Sequence, residues 1–192
     1  QPAVLRHCFN APPSSITAKL NWPLRVSASR IIAKVLEFSS EKVGPYQLMI
    51  APSMPREKLL LVNLDTRSVV QTIALEFRGN AIAVDAARDR AVLTTGQNNK
   101  AYVLDLTTLS AGTVSLTEAS FLHAHVLPKE PGAVARQRDS GLAVIASKES
   151  NALSTIQLDT GALVASFATL EKPFSLAISS RTNQALVLGA EK

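Results

Sequence analysis

Residues 79–108 read GNAIAVDAARDRAVLTTGQNNKAYVLDLTT, and this stretch decides the fold because it is one unit of a repeat. An alternating apolar strand over Ala81 to Val84 meets a second apolar run over Ala91 to Leu93, and a third strand, YVLDLTT, follows. Period-two alternation with polar turns between runs is the pattern of antiparallel strands. Three segments of the chain superpose without gaps: Ala83 to Ala91, Ala135 to Ala143 and Ala177 to Ala185. At the matching turn stand Asp89, Gly141 and Asn183, residue types that tolerate a left-handed backbone. The turn geometry is expected to persist although the residue changes.

The third strand keeps its distance too. Val103 lies twelve residues after Ala91, Thr155 twelve after Ala143, and an earlier copy, LLLVNLDT, places Leu61 twelve after Met49. The Asp65-Thr66 and Asp159-Thr160 pairs suit the next turn, since their short side-chain oxygens bond the backbone just beyond them. VVQTIAL and LVASFATL supply fourth strands, and new units open at Gly79, Pro131 and Pro173. The period is 42 residues from Leu61 to Val103, 52 from Val103 to Thr155 and 42 from Ala143 to Ala185, so one unit carries a ten-residue insertion. Four short strands per repeat of this length predict an all-β chain, a β-propeller of four-stranded antiparallel blades. By this count it holds about four blades or forms part of a larger ring.

The pieces NAIAVDAARDRAVLTTGQNNKAYVLDLTT, ALSTIQLDTGALVASF and PFSLAISSRTNQALVLGA resemble the YVTN-type propeller repeats of bacterial cell-surface and periplasmic proteins. In those repeats a Pro-led strand, a second strand, a V-x-D-L-like third strand and a Thr-Gly turn recur. The resemblance covers residues 46–192 and departs from the pattern at Pro52 and Pro55. It implies a scaffold and a periplasmic or extracellular location, and it transfers no catalytic residue.

Composition narrows the partner. The chain is 46% apolar, 18% charged and 5% aromatic, with a formal charge of +5. So few rings argue against a nucleic-acid groove or a sugar-stacking surface, and exposed rings are not expected. Lys and Arg are scattered rather than striped, which reads as solubility and not as nucleic-acid binding. No apolar run approaches the roughly 20 residues that span a bilayer. Cys8 is the single cysteine, so no intrachain disulfide forms. The chain begins at Gln1, which fits a processed terminus or an excised fragment. Residues 1–40 match the repeat poorly, yet counting back one period from Leu61 reaches Lys19. On that reading they complete a blade with the C-terminal strands, and residues 41–192 form the other blades. Closure of that kind removes unpaired strand edges.

Local chemistry is sparse. His123 and His125 share one face of a strand, but no third ligand stands nearby, so no metal site is expected. Cys8 beside His7 lacks an orienting third group, and Trp22 reads as an anchor. No G-x-S-x-G, phosphate-binding glycine loop or H-E-x-x-H occurs. No catalytic residue and no cofactor are assigned. Asp65, Asp89, Asp139 and Asp159 read as turn formers.

The polar loops carry more information. In a propeller, loops between second and third strands share one end with the links between blades. Here these are PSMPREK, TGQNNK and SKESN, with LEFRGN, the inserted SLTEASFLHAHVLPKE, and LEKPF. Arg56, Arg78, Asn98, Asn99, Lys129, Glu130, Lys148, Glu149 and Lys172 are therefore expected on one rim, with only short turns at the opposite end. Loops on a rigid scaffold are where binding resides. The expected function is a non-catalytic binding or scaffolding module for a protein or polymer partner. The alternative is a lactonase-like hydrolase or a quinoprotein-like redox subunit, which needs a central cluster of carboxylates, His or Arg.

Overall fold

The computed structural model describes residues 44–51 and 57–190. His7, Cys8, Trp22, Arg56 and the candidate strands within residues 1–40 lie outside them. Among the described residues thirteen strands form four sheets. Strands β1 (Tyr46–Ala51), β2 (Lys58–Asn63) and β3 (Ser68–Ala74) make the first. The second contains β4 (Gly79–Asp85), β5 (Arg90–Thr95), β6 (Lys100–Asp105) and β7 (Phe121–Val126). The third contains β8 (Pro131–Gln137), β9 (Leu142–Ser147), β10 (Ala152–Gln157) and β11 (Ala162–Ala168). Strands β12 (Pro173–Ser179) and β13 (Gln184–Gly189) form the fourth. Every neighbouring pair is antiparallel and consecutive in sequence, which is the meander of a propeller blade.

Alternation along each strand divides its side chains between two interfaces. On β5, Ala91 and Leu93 pack with Leu59, Leu61 and Leu104 against the first sheet. Val92, one residue along, turns to the third sheet with Val103, Ile145 and Ile156. Leu93, Leu104, Ile145 and Ile156 are fully buried, so cutting any of them to Ala costs about 2–5 kcal/mol. A one-residue slip would exchange the two cores, and this fixes the register.

The repeat turn behaves as its residues require: Asp89, Gly141 and Asn183 have φ of 52°, 67° and 53°. Gly141 meets a second demand, since a Cβ there would run into the Arg88 guanidinium.

The insertion is a correction. FLHAHV is the fourth strand of the second sheet, pairing with β6 through Val103↔His123 and Ala101↔His125. The extra residues therefore join third and fourth strands, at the end opposite the rim, rather than linking blades. They hold a short helix, α1 (Thr107–Ser110), and a 3₁₀ turn at Glu118–Ser120. They do not project freely. Leu109 and Leu116 are buried in the core between the first and second sheets. The Gln71 side chain donates to the Leu116 carbonyl at 2.6 Å and accepts from its N–H at 2.9 Å, as a strand partner would.

Candidate functional site

The rim is built by one hydrogen-bond clamp used three times. In each of the first three sheets a residue just before the last strand but one (β2, β6 and β10) accepts a backbone bond from the residue that follows the last (β3, β7 and β11): Glu57 from Leu75, Asn99 from Leu127 and Asn151 from Thr169, each at 2.8 Å. Its side chain then reaches the link to the next sheet. Asn99 Oδ1 accepts from the Glu130 N–H and Asn151 Oδ1 from the Lys172 N–H, both at 2.8 Å. Glu57, one carbon longer, takes the N–H of Gly79 at 2.7 Å. Asn99 and Asn151 sit at φ of 53° and 49°, where asparagine is tolerated best among residues with a Cβ. The clamp holds the two loop classes together.

A second repeat aims side chains. The ladder slips between Gly79 and Ala81, between Pro131 and Val134, and between Pro173 and Ser175. Bulges re-aim the residues they contain, and the equivalent residues within them are Asn80, Gly132 and Phe174. All three line a cavity of about 830 Å³ where β4, β8 and β12 begin. Asn80 donates to the Pro131 carbonyl at 2.8 Å, and the Thr94 hydroxyl donates to that of Gly132 at 2.7 Å. Phe174 is 55% exposed. This ring corrects the expectation that none would be exposed; the bulge sets it off the ladder.

Of the rim residues expected from sequence, Arg78, Asn99, Lys129, Glu130, Lys148 and Glu149 line this cavity, while Asn98 and Lys172 do not. Asn98 is engaged by the Thr95 hydroxyl and by Tyr102 Oη. Asn99 has its carbonyl oxygen committed to the clamp, so both asparagines serve the loop itself. Two Lys-Glu dipeptides, Lys129-Glu130 and Lys148-Glu149, lie side by side in the cavity lining. The Lys148 N–H donates to the Glu130 carbonyl at 3.0 Å, and the Lys129 N–H to Ser150 Oγ at 2.8 Å. Their backbones are fixed, yet among the described residues the Lys129 and Lys148 ammonium groups have no partner. Arg78 lies 3.4 Å from Glu57 and is 69% exposed, a pair worth little in water.

The opposite end is a network that sequence reasoning missed. Asp85 is fully buried and meets Arg88 Nη1 at 3.1 Å and Arg136 Nη1 at 3.5 Å. Arg88 continues to Asp159 Oδ1 at 2.9 Å and to the carbonyls of Arg138 and Asp139 at 2.8 and 3.1 Å. It therefore stitches the second sheet to two turns of the third. Burial, then the charge of Arg138, draws the Arg136 guanidinium below its ordinary range. Burial alone would raise Asp105, but bonds from Thr107 and the Arg90 guanidinium at 2.7 Å outweigh it and hold its carboxyl below the usual value.

His123 and His125 stack at 6.2 Å between ring centroids, and His125 Nε2 contacts the Gly161 carbonyl. Gly161, at φ 69°, leaves room for the His123 ring. The pair packs against a turn of the third sheet. Among the described residues no group of three or more His, Cys, Asp or Glu is placed to hold a metal, and no helix is long and apolar enough to cross a membrane.

Repeated antiparallel sheets packed face to face, with charged loops at one end, define a propeller-like all-β scaffold. Solved structures agree on that fold. One, a functionally unknown protein from Desulfotomaculum acetoxidans, superposes with a TM-score of 0.65 at 12% identity over 76% of this chain and 45% of its own. Another, from the crystal structure of a mitotic checkpoint complex, gives 0.59 at 12% identity over 74% of this chain and 41% of its own. This chain spans less than half the length of either. No family model and no curated protein matches it.

Proposed function

We propose that the chain is a non-catalytic binding module of the YVTN propeller type, acting in the periplasm or outside the cell, and that it holds a protein or polymer partner at the rim. One observation carries this reading. The links and second-to-third-strand loops of successive blades converge on a cavity of about 830 Å³, whose lysines have fixed backbones and unpartnered charges. Pockets with a few convergent polar groups are where ligands bind, and the clamp supplies the rigidity that loops normally lack.

A blocking experiment tests the face without assuming the ligand. In a Cys8→Ser background, Gln97→Cys at the rim and Arg181→Cys at the opposite end each receive a bulky maleimide polymer. Capture of partners from a native extract should fall with the rim label and persist with the other. Equal capture by both, or loss only with the label at Arg181→Cys, overturns the assignment.

A further inference from the structure

Resting on the rim reading above, we infer that the cavity takes an extended peptide in which acidic residues flank an apolar side chain. Charge comes first. Arg78, Lys129 and Lys148 line the cavity from three different loops, and three cations on separate flexible side chains suit separate carboxylates rather than one anion. Glu130 and Glu149, each next in sequence to one of those lysines, line it as well. Their repulsion disfavours a continuous polyanion such as nucleic acid or a sulfated glycan, whereas a peptide brings backbone N–H groups that those carboxylates can accept.

The walls make the second argument. Ile82, Val134 and Phe174, all on opening strands, give the cavity apolar lining. Phe174 is a lone ring, about half exposed. A saccharide or single-stranded nucleic acid is ordinarily held by several stacking platforms; one ring beside aliphatic side chains suits one apolar anchor. Gly132, at the bulge position equivalent to Phe174, leaves space, since a Cβ there would meet only the Ala146 carbonyl at 3.9 Å. The proposed anchor takes the Phe174 ring and the space at Gly132, and the flanking carboxylates take Lys129 and Lys148.

The probe is a fluorescein-labelled peptide, Asp-Glu-Leu-Phe-Glu-Asp, titrated into the full chain and read by polarisation. Two control peptides replace the four acidic residues by Lys, or Leu-Phe by Ser-Ser. The acidic peptide should bind about tenfold or more tighter than either control, and more weakly as salt screens the pairing. Lys129→Glu with Lys148→Glu should lower its affinity about tenfold or more, Phe174→Ser severalfold, and Gly132→Leu should block it; thermal unfolding of each variant checks that it folds. Equal binding of the acidic and lysine peptides, tighter binding of heparin or single-stranded DNA, or an unchanged affinity in the folded double-lysine variant overturns the proposal. Failure here with success of the rim-label experiment rejects the peptide and keeps the rim. Failure of both rejects the rim as well.

Discussion

The two ends of the blades use different ionic residues. Lys58, Lys100, Lys129, Lys148 and Lys172 all stand at the rim end, with Glu57, Glu76, Glu130, Glu149 and Glu171. The turn end instead carries Asp65, Asp85, Asp89, Asp105, Asp139 and Asp159 with Arg67, Arg88, Arg90, Arg136, Arg138 and Arg181. Arg78 and Glu118 are the exceptions among the described residues. The chemistry explains the division. Short Asp side chains bond neighbouring backbone in tight turns, and the planar guanidinium reaches several acceptors at once, as Arg88 does. Lys and Glu are long and flexible and keep their charges in water. One end is spent on holding sheets together, and at the other the Lys129 and Lys148 ammonium groups stay unpaired.

The sharpest way to break that contrast is at Asp85. Asp85→Ala leaves Arg88 and Arg136 without their buried counter-charge and should destabilise the chain by about 3–5 kcal/mol in urea unfolding. If the midpoint barely moves, the turn-end network is ordinary surface. Next comes the clamp. Asn99→Ala loses the bond to Glu130 and puts at φ 53° a residue that tolerates the left-handed region less well than Asn, an expected loss of about 2 kcal/mol, whereas Asn99→Gly relieves the strain and should lose about half of that. Equal losses in the two variants would show that the left-handed backbone contributes nothing.

A smaller effect separates the ends by pH. Asp105 has a folded pKa below its unfolded value, so its contribution is present above the unfolded pKa, about 3.9. It is lost as pH falls through the folded value. Asp105→Asn should flatten the stability profile in that acid range and leave it unchanged near neutrality; an unaltered acid slope contradicts the assignment. Smallest of all, Lys129→Glu alone should shift stability by no more than about 0.5 kcal/mol. A shift comparable to that of Asp85→Ala would mean that the rim, too, holds the fold.

The sequence disclosed the blades because their signal is local. Turn residues at fixed spacing and period-two alternation survive in every unit, and Asp89, Gly141 and Asn183 share one conformation. The expected place of the insertion falls on the wrong side of β7 because FLHAHV carries His125 where β3 and β11 carry the apolar Ile73 and Phe167. Its outward residues Leu122 and Val126 are exposed, which blurs the alternation. The turn-end network was invisible for another reason: Arg88 and Asp159 are 71 residues apart, and nothing local marks them as partners. At the rim the charged loops were legible, but Phe174 was not, since only the bulge after Pro173 turns it out of the sheet. The same bulge was written more plainly at Gly79-Asn80 and Pro131-Gly132, and aligning those pairs with Pro173-Phe174 is the signal that finds it.

Because every described lysine lies at the rim end, amine labelling reads that end residue by residue. The decisive measurement is the acylation rate of each lysine in the folded chain, followed by mass spectrometry with and without saturating Asp-Glu-Leu-Phe-Glu-Asp peptide. Lys129 and Lys148 should be protected severalfold while Lys58, the first residue of β2 and not part of the cavity lining, reacts at its unliganded rate. Protection of Lys58 alone, or unchanged rates at Lys129 and Lys148 under conditions where the peptide is bound, would contradict the account.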